Sequence, residues 1–332
     1  MGNKNMQEKN DSQQQFQYEN LEGCQITQEE KCFALAFNRN CSCLVAGSDF
    51  NIKVFKFDYE TLQQTQLLIG HQGYIQTLNF MKQTNQRFIS GSCDSLIIIW
   101  ELNILNSLWY KKQTLNYHIH SITCLIIDKN EDFFFSGSCD KTIKLQVMNH
   151  NQEWFCKQSI IEHSSYINGL SLNNDQNKLI TCGQDQKILI IQNIDDNWIV
   201  IQKIEQYGLR LCFIFDDFFT FQPNGNVMYT YQLESNSQIV NFKQRKINLK
   251  RGGCVCTILF PCQFIQSKSL LVNKNGGYVH FVKIFDQNTY QKMQTINFGT
   301  YQVFGEISSD GQYFVSWDDL SNQIQIKKYI EQ

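Results

Sequence analysis

The chain has 332 residues, of which 42% are hydrophobic, with 29 Lys and Arg against 31 Asp and Glu and a formal net charge of −2. That length can bury a large core as one big domain or two ordinary ones, and the near-neutral balance excludes the basic field that concentrates a protein on nucleic acid. No run approaches the length of a membrane span and no basic-then-apolar leader opens the chain, so its thirteen cysteines, an odd number, are expected to be reduced thiols in the cytoplasm.

Residues 1–14 are rich in Gln, Asn, Lys and Glu and have too little apolar surface to offset ordering entropy. They are expected to form a flexible polar tail ahead of a single domain over residues 15–332. Gly2 stands where N-myristoylation needs a glycine, but Met6 stands where that pattern wants Ser or Thr, so the match is read as an accident.

Four segments of one form come next: Val45-Ala46-Gly47-Ser48-Asp49, Ser90-Gly91-Ser92-Cys93-Asp94, Ser136-Gly137-Ser138-Cys139-Asp140 and Thr181-Cys182-Gly183-Gln184-Asp185. Their aspartates lie 45, 46 and 45 residues apart, the mark of tandem repetition. Small and polar residues between two apolar, β-like runs predict a tight hairpin in each. Upstream of each hairpin a further strand shares one spacing, as in Ile75, Leu78, Phe80 and Ile122, Leu125, Ile127; a more polar strand follows it, as in Trp154 to Ile160. Four strands in about forty-five residues make one blade of a β-propeller.

The rhythm continues in the second half. Leu209 to Ile214, Phe218 to Phe221, the turn Pro223-Asn224-Gly225-Asn226 and Val227 to Tyr231 predict a fifth blade. Val255 to Phe260, Leu270 to Val272, the turn Asn275-Gly276-Gly277 and Val279 to Ile284 predict a sixth. A seventh, from about Gln302 to Tyr329, is one strand short. An open sheet edge there would break the ring, so Phe16 to Cys24 is expected to pair with Ile324 to Tyr329 and close it. The predicted fold is all-β: a seven-bladed propeller of four-stranded antiparallel blades, closed by the N-terminal strand.

Gly70-His71, Ile75, the Ser90 to Asp94 run and Ile97-Ile98-Ile99-Trp100 together resemble the unit of the WD-repeat (tryptophan-aspartate repeat) family, and the resemblance covers nearly all of the chain after the tail. It implies a hydrogen-bonded tetrad inside each regular blade. Blade two would use His71, Ser90, Asp94 and Trp100. Blade three would use His118, Ser136 and Asp140 with Gln146 at the Trp position, and blade four His163, Thr181 and Asp185 with Ile191 there; both are expected to be weaker networks.

Phosphate-binding, zincin and nucleophile-elbow motifs are all missing, and the repetition of the Ser, His and Asp positions marks them as scaffold. No catalysis, cofactor or metal is expected; Cys41 with Cys43 and Cys254 with Cys256 lack a second pair at metal-site spacing and read as strand cysteines. The family resemblance implies a monomeric, non-catalytic scaffold that binds other proteins of a multiprotein complex on one propeller face. The positions it places there are Lys31 and Phe33; Tyr74, Gln76 and Cys93; Ser121, Thr123 and Cys139; Tyr166, Asn168 and Gln184; Arg210; and Trp317. Tyr74, Tyr166, Arg210 and Trp317 are the expected anchors, being of residue types that dominate interface energies.

Lys243, Arg245, Lys246, Lys250 and Arg251 cluster at the join of blades five and six, and Leu249-Lys250-Arg251-Gly252 is similar to the phosphoinositide-binding motif of a propeller subfamily acting in autophagy. Lys250 and Arg251 are thus candidate phosphate ligands, and membrane lipid is a partner in that alternative. Lys stands in place of one Arg, however, and the two are not interchangeable in bidentate phosphate binding. A second alternative, a cytosolic iron–sulfur protein assembly propeller, is similar in size and blade count.

Overall fold

The computed structural model describes residues 6–9, 16–236, 239–250 and 256–331. Its strands form seven sheets, which succeed one another around a central channel. Blade one comprises Leu35–Phe37, Cys43–Ser48, Asn51–Phe57 and Leu62–Leu68, and blade two Ile75–Phe80, Arg87–Ser92, Ile97–Asn103 and Leu108–Leu115. Blade three comprises Ile122–Ile127, Phe133–Ser138, Ile143–Met148 and Trp154–Ile160, and blade four Ile167–Leu172, Lys178–Gly183, Lys187–Ile194 and Asn197–Glu205. Arg210–Phe215, Phe218–Gln222, Val227–Asn236 and Ile239–Asn248 form blade five; Gln263–Ile265, Leu270–Asn275, Tyr278–Ile284 and Thr289–Asn297 form blade six. The last blade takes Val303–Ile307, Tyr313–Asp318 and Gln323–Glu331 from the end of the chain and Phe16–Thr27 from its beginning.

That final pairing closes the ring as expected. Phe16 lies opposite Glu331 and Thr27 opposite Gln323 in an antiparallel ladder. Side chains fix its register: the Tyr18 ring stacks on Phe281 of blade six with centroids 4.6 Å apart, and its hydroxyl donates to Gly311 O at 2.7 Å. Each blade otherwise buries the apolar faces of its strands against the next, as where Ile75 and Leu78 of blade two meet Ala34, Val45 and Val54 of blade one.

The tetrads form in the predicted blades. Trp100 Nε1–H donates to Ser90 Oγ at 2.9 Å, Ser90 Oγ lies 2.8 Å from His71 Nε2, and His71 Nδ1 lies 2.9 Å from the Asp94 carboxylate. An ionised carboxylate can only accept, so the His71 nitrogen facing Asp94, Nδ1, is the one that donates. Blade three repeats the contacts, with His118 2.7 Å from both Asp140 and Ser136, and the Gln146 amide stands 2.9 Å from Ser136 Oγ in the place of the indole. In blade four His163 joins Asp185 and Thr181 at 2.9 and 2.7 Å, and Ile191 fills the indole's place without a donor. Burial holds His118 and His163 below the ordinary imidazole range despite their Asp partners. In Asp94, hydrogen bonds from His71 and from the Gln72 N–H outweigh the opposing effect of burial and keep the carboxyl below its ordinary range.

Three details differ from the sequence reading. Asp49 is not the blade-one counterpart of Asp94: its N–H donates to Lys31 O at 3.0 Å, as the Cys93, Cys139 and Gln184 N–H groups donate to Tyr74, Ser121 and Tyr166. It therefore sits one place earlier, in a two-residue hairpin loop between Ser48 and Asn51. Blade six begins its inner strand at Gln263 and not within 255–260, because Pro261 has no N–H and biases Phe260 out of a continuing ladder; Val255 itself lies outside the described residues. Within the stretch read as a tail, Gln7–Glu8 adds a fifth, parallel strand to blade six, and Met6 is buried.

A further regularity stitches the outer strands. A bulge at Thr65, Lys112, Lys157 and Met293 puts one extra residue immediately before Gln66, Gln113, Gln158 and Gln294. Each glutamine stays in its own ladder, and its side chain reaches toward the next blade. There the amide grips the main chain of an aromatic residue from both sides: Trp109 at 2.8 and 2.8 Å, Trp154 at 2.8 and 2.9 Å, Trp198 at 2.7 and 3.0 Å, and Tyr18 at 3.1 and 2.7 Å. The last of these grips the closing strand itself.

Two predictions follow from this packing. Tyr18→Ala should cost about 3 to 5 kcal/mol in urea unfolding, the usual loss for a buried aromatic, whereas Tyr18→Phe should cost about 1 kcal/mol for the lost hydroxyl bond. The second concerns His280, which is held neutral between Lys250 O at 2.8 Å and Thr295 Oγ1 at 3.0 Å, with burial lowering its pKa from 6.5 to about 4. A depressed imidazole pKa means that the unfolded chain binds the proton first as pH falls. The stability of the native chain relative to His280→Gln should therefore drop between pH 6.5 and 4, by up to about 3 kcal/mol, as followed by urea midpoints across that range.

Candidate functional site

The inner-strand positions expected to face a partner divide into two groups. Those directly after the first apolar residue of the strand mostly turn toward the neighbouring blade. Thr123 Oγ1 donates to Ile167 O at 2.7 Å, Asn168 Nδ2 to Gly208 O at 3.1 Å, and Arg210 Nε to Phe260 O at 2.7 Å. These are ties around the ring, and all three residues are buried. Gln76 is half-buried and donates to Cys93 Sγ within its own blade.

Arg210 and Trp317 are thus not surface anchors. The Arg210 guanidinium also donates to Lys274 O and Cys256 Sγ at 3.2 Å each and to Thr257 O, so it holds residues 256–260 across the space between blades five and six. Lys274, its pKa lowered to about 7 by burial and by Arg210, donates to Tyr301 O at 2.7 Å. At Cys256 burial works the other way, but the two cations outweigh it and hold the thiol below its ordinary range. Trp317 is buried with its Nε1–H on Gln28 O at 2.8 Å, which fastens blade seven to the entry of blade one.

The positions before the inner strands form the second group. Lys31, Tyr74, Ser121 and Tyr166 occupy one equivalent place, each offering its carbonyl to the hairpin of its own blade and leaving its side chain free of the ladder. Lys31 is exposed, Tyr166 is 44% exposed, and Tyr74 is half-buried in a surface cluster. In that cluster the Tyr74 ring meets Phe33 at 5.6 Å and Phe50 at 5.1 Å, Lys31 Nζ stands 5.8 Å from its centroid, and Phe33 continues to Phe304 at 5.0 Å. Phe50, absent from the sequence reading, is 43% exposed because the short blade-one hairpin lifts it beside Tyr74. A shallow depression continues from Phe33 past Leu259, Ile258, Thr257 and Tyr301 to Gln184 of blade four.

The described side chains of the basic stretch have separate surroundings. Arg245 donates to Gln287 O at 2.6 Å, Lys246 Nζ stands 5.9 Å from the Tyr229 ring, and Lys250 is exposed, its carbonyl occupied by His280. Arg251 and Cys254, like the side chain of Lys243, lie outside the described residues. Cys41 is buried and Cys43 half-buried, and every described cysteine is a free thiol. No described helix is long and apolar enough to cross a membrane.

The family model for the WD domain, G-beta repeat, matches residues 22–56, 62–101, 109–145 and 154–192, which lie in the first four blades and the closing strand. Among curated proteins, nuclear distribution protein nudF of Aspergillus niger is 27% identical over 159 residues, 47% of this chain and 34% of that protein. The small ribosomal subunit protein RACK1 of Drosophila melanogaster is 31% identical over 88 residues, 26% of this chain and 28% of its own length. Protein transport protein SEC13 of Yarrowia lipolytica is 24% identical over 131 residues, 37% of this chain and 43% of that protein. The matched region spans about a third of nudF and less than half of the others. Four matches to the repeat model within a ring of seven four-stranded blades identify the chain as a WD-repeat β-propeller.

Proposed function

We propose that this chain is a non-catalytic docking platform of a cytoplasmic multiprotein complex, and that a protein partner binds the face carrying Lys31, Phe33, Phe50, Tyr74 and Tyr166. The surface cluster of Phe33, Phe50 and Tyr74 with the Lys31 ammonium beside it supports this reading most directly. Rings held against one another lose little side-chain freedom on binding, and such aromatic and cationic groups anchor protein interfaces. They stand on loops of a rigid scaffold, where recognition concentrates. The His and Asp groups that could have suggested acid–base chemistry are spent inside the blades. Among the similar proteins, one is named as a small ribosomal subunit protein, a part of a larger assembly.

The test is affinity purification of the native chain and of a variant carrying Phe33→Ala, Phe50→Ala, Tyr74→Ala and Tyr166→Ala, with mass spectrometry of what is retained. At least one specifically bound protein should be lost or reduced tenfold or more, while the circular dichroism spectrum and melting temperature stay close to those of the native chain. An unchanged set of retained proteins would remove this face as the docking site.

A further inference from the structure

The seam between blades five and six is built unlike the four seams stitched by glutamines that follow a bulge. The outer strand of blade five pairs with its neighbour without a bulge, and Gln244 turns to its own blade's Tyr231 hydroxyl at 2.9 Å. Residues 6–9 lie in that seam. Gln7 and Glu8 run parallel to Thr289 and Tyr290; the Met6 N–H donates to Lys246 O at 3.3 Å on the blade-five side, and the Gln7 and Lys9 N–H groups donate to Asn288 O at 2.7 Å and Tyr290 O at 2.9 Å on the blade-six side. An extended segment thus bridges two sheets through its own main chain, the geometry of β-strand addition.

Three of its four side chains meet a separate receptor. Met6 is 4% exposed and packs among Ile214, Met228 and Ile247 of blade five and Leu271, Val282 and Ile284 of blade six. The Glu8 carboxylate lies 3.1 Å from Lys292 Nζ and accepts from the Tyr290 hydroxyl at 3.4 Å. Lys9 Nζ stands 4.7 Å from the centre of the Phe285 ring. The Thr230 hydroxyl also donates to Met6 Sδ at 3.6 Å, and the covalent link to the closing strand at Phe16 favours an internal occupant through effective concentration.

We propose that the outer seam of blades five and six is a docking groove for an extended peptide with an apolar residue, any residue, an acid and a base in succession, and that Met6–Lys9 is its internal occupant. A partner segment of that pattern takes the same contacts once the internal copy is released. The groove runs along the fourth strands on the outer wall, separate from the aromatic face, and either site can fail without the other.

The experiment uses the full chain, native and with Met6→Glu, which sets a carboxylate against the apolar receptor and releases the segment. A fluorescein-labelled synthetic peptide of residues 4–11 is titrated against each, with anisotropy as the readout. The released chain should bind it at least tenfold more tightly than the native chain, and a peptide carrying Met6→Glu should bind neither. Glu8→Lys, which sets like charge against Lys292, is a second release variant should Met6→Glu not fold. Hydrogen exchange of the native chain should show the Gln7 and Lys9 amides protected. Absence of binding to the released chain, equal affinity for both chains, or unprotected Gln7 and Lys9 amides would each overturn the proposal.

Discussion

The structure depends on one pairing: the last blade takes its outer strand from the opposite end of the chain. Each blade pairs its strands in its own ladder and buries its faces on its neighbours, but the seventh has only three strands from the end of the chain. The main-chain groups along Gln323–Glu331 would face solvent without Phe16–Thr27, and Tyr18 would leave a gap against Phe281 and Phe314. Sheet pairing and aromatic packing therefore demand the same segment in the same register. This agreement makes the two ends of the chain one structural unit and gives the ring its cooperativity.

Closure also explains why polar side chains are placed as they are. A propeller blade is flat enough to slide on its neighbour if only apolar faces meet, since hydrophobic contact has no direction. Directional bonds oppose that sliding at two radii. Near the axis, Thr123, Asn168 and Arg210 reach main-chain oxygens of the next blade; at the circumference, glutamines that follow the bulges grip the main chain of Trp109, Trp154, Trp198 and Tyr18. Within the blade, the tetrads anchor the hairpin to the third strand. The three systems act on different degrees of freedom, so weakening of one tetrad, as at Ile191, leaves the blade in place.

The sequence carried the fold clearly because hairpin chemistry and strand alternation are local. The Ser90 to Asp94 run, its repeats and the Asn275-Gly276-Gly277 turn determine their own geometry, and the need for a closing strand follows from counting. The His, Ser and Asp tetrads were legible for the same reason, as residues at fixed offsets within one blade. What the sequence did not disclose is which side chains cross between blades. Arg210 and Trp317 have the composition of interface anchors, yet Arg210 is drawn inward by the carbonyls of residues 257, 260 and 274, and Trp317 by Gln28. The clamping glutamines were hidden twice over: glutamine is abundant throughout this chain, and a bulge leaves no mark in a two-residue alternation. Their spacing, from Gln66 to Gln113 to Gln158, was the signal available.

The division between residues that hold the ring and residues that can meet a partner then follows from radius and depth. A side chain between blades has its donors and acceptors satisfied by the neighbouring main chain, and freeing it for a ligand would leave buried carbonyls unpaired. A side chain lifted above the ladders, such as Lys31, Phe50 or Tyr166, carries no such obligation. The same criterion separates the basic residues near blade six: Arg245 is committed to Gln287, and Lys250 contributes its carbonyl to His280 while its side chain points to solvent. In a scaffold this uniform, recognition belongs to groups that closure does not need. For that reason the exposed aromatic cluster of blades one and two is a better guide to function than the charged or catalytic residue types that the repeat multiplies.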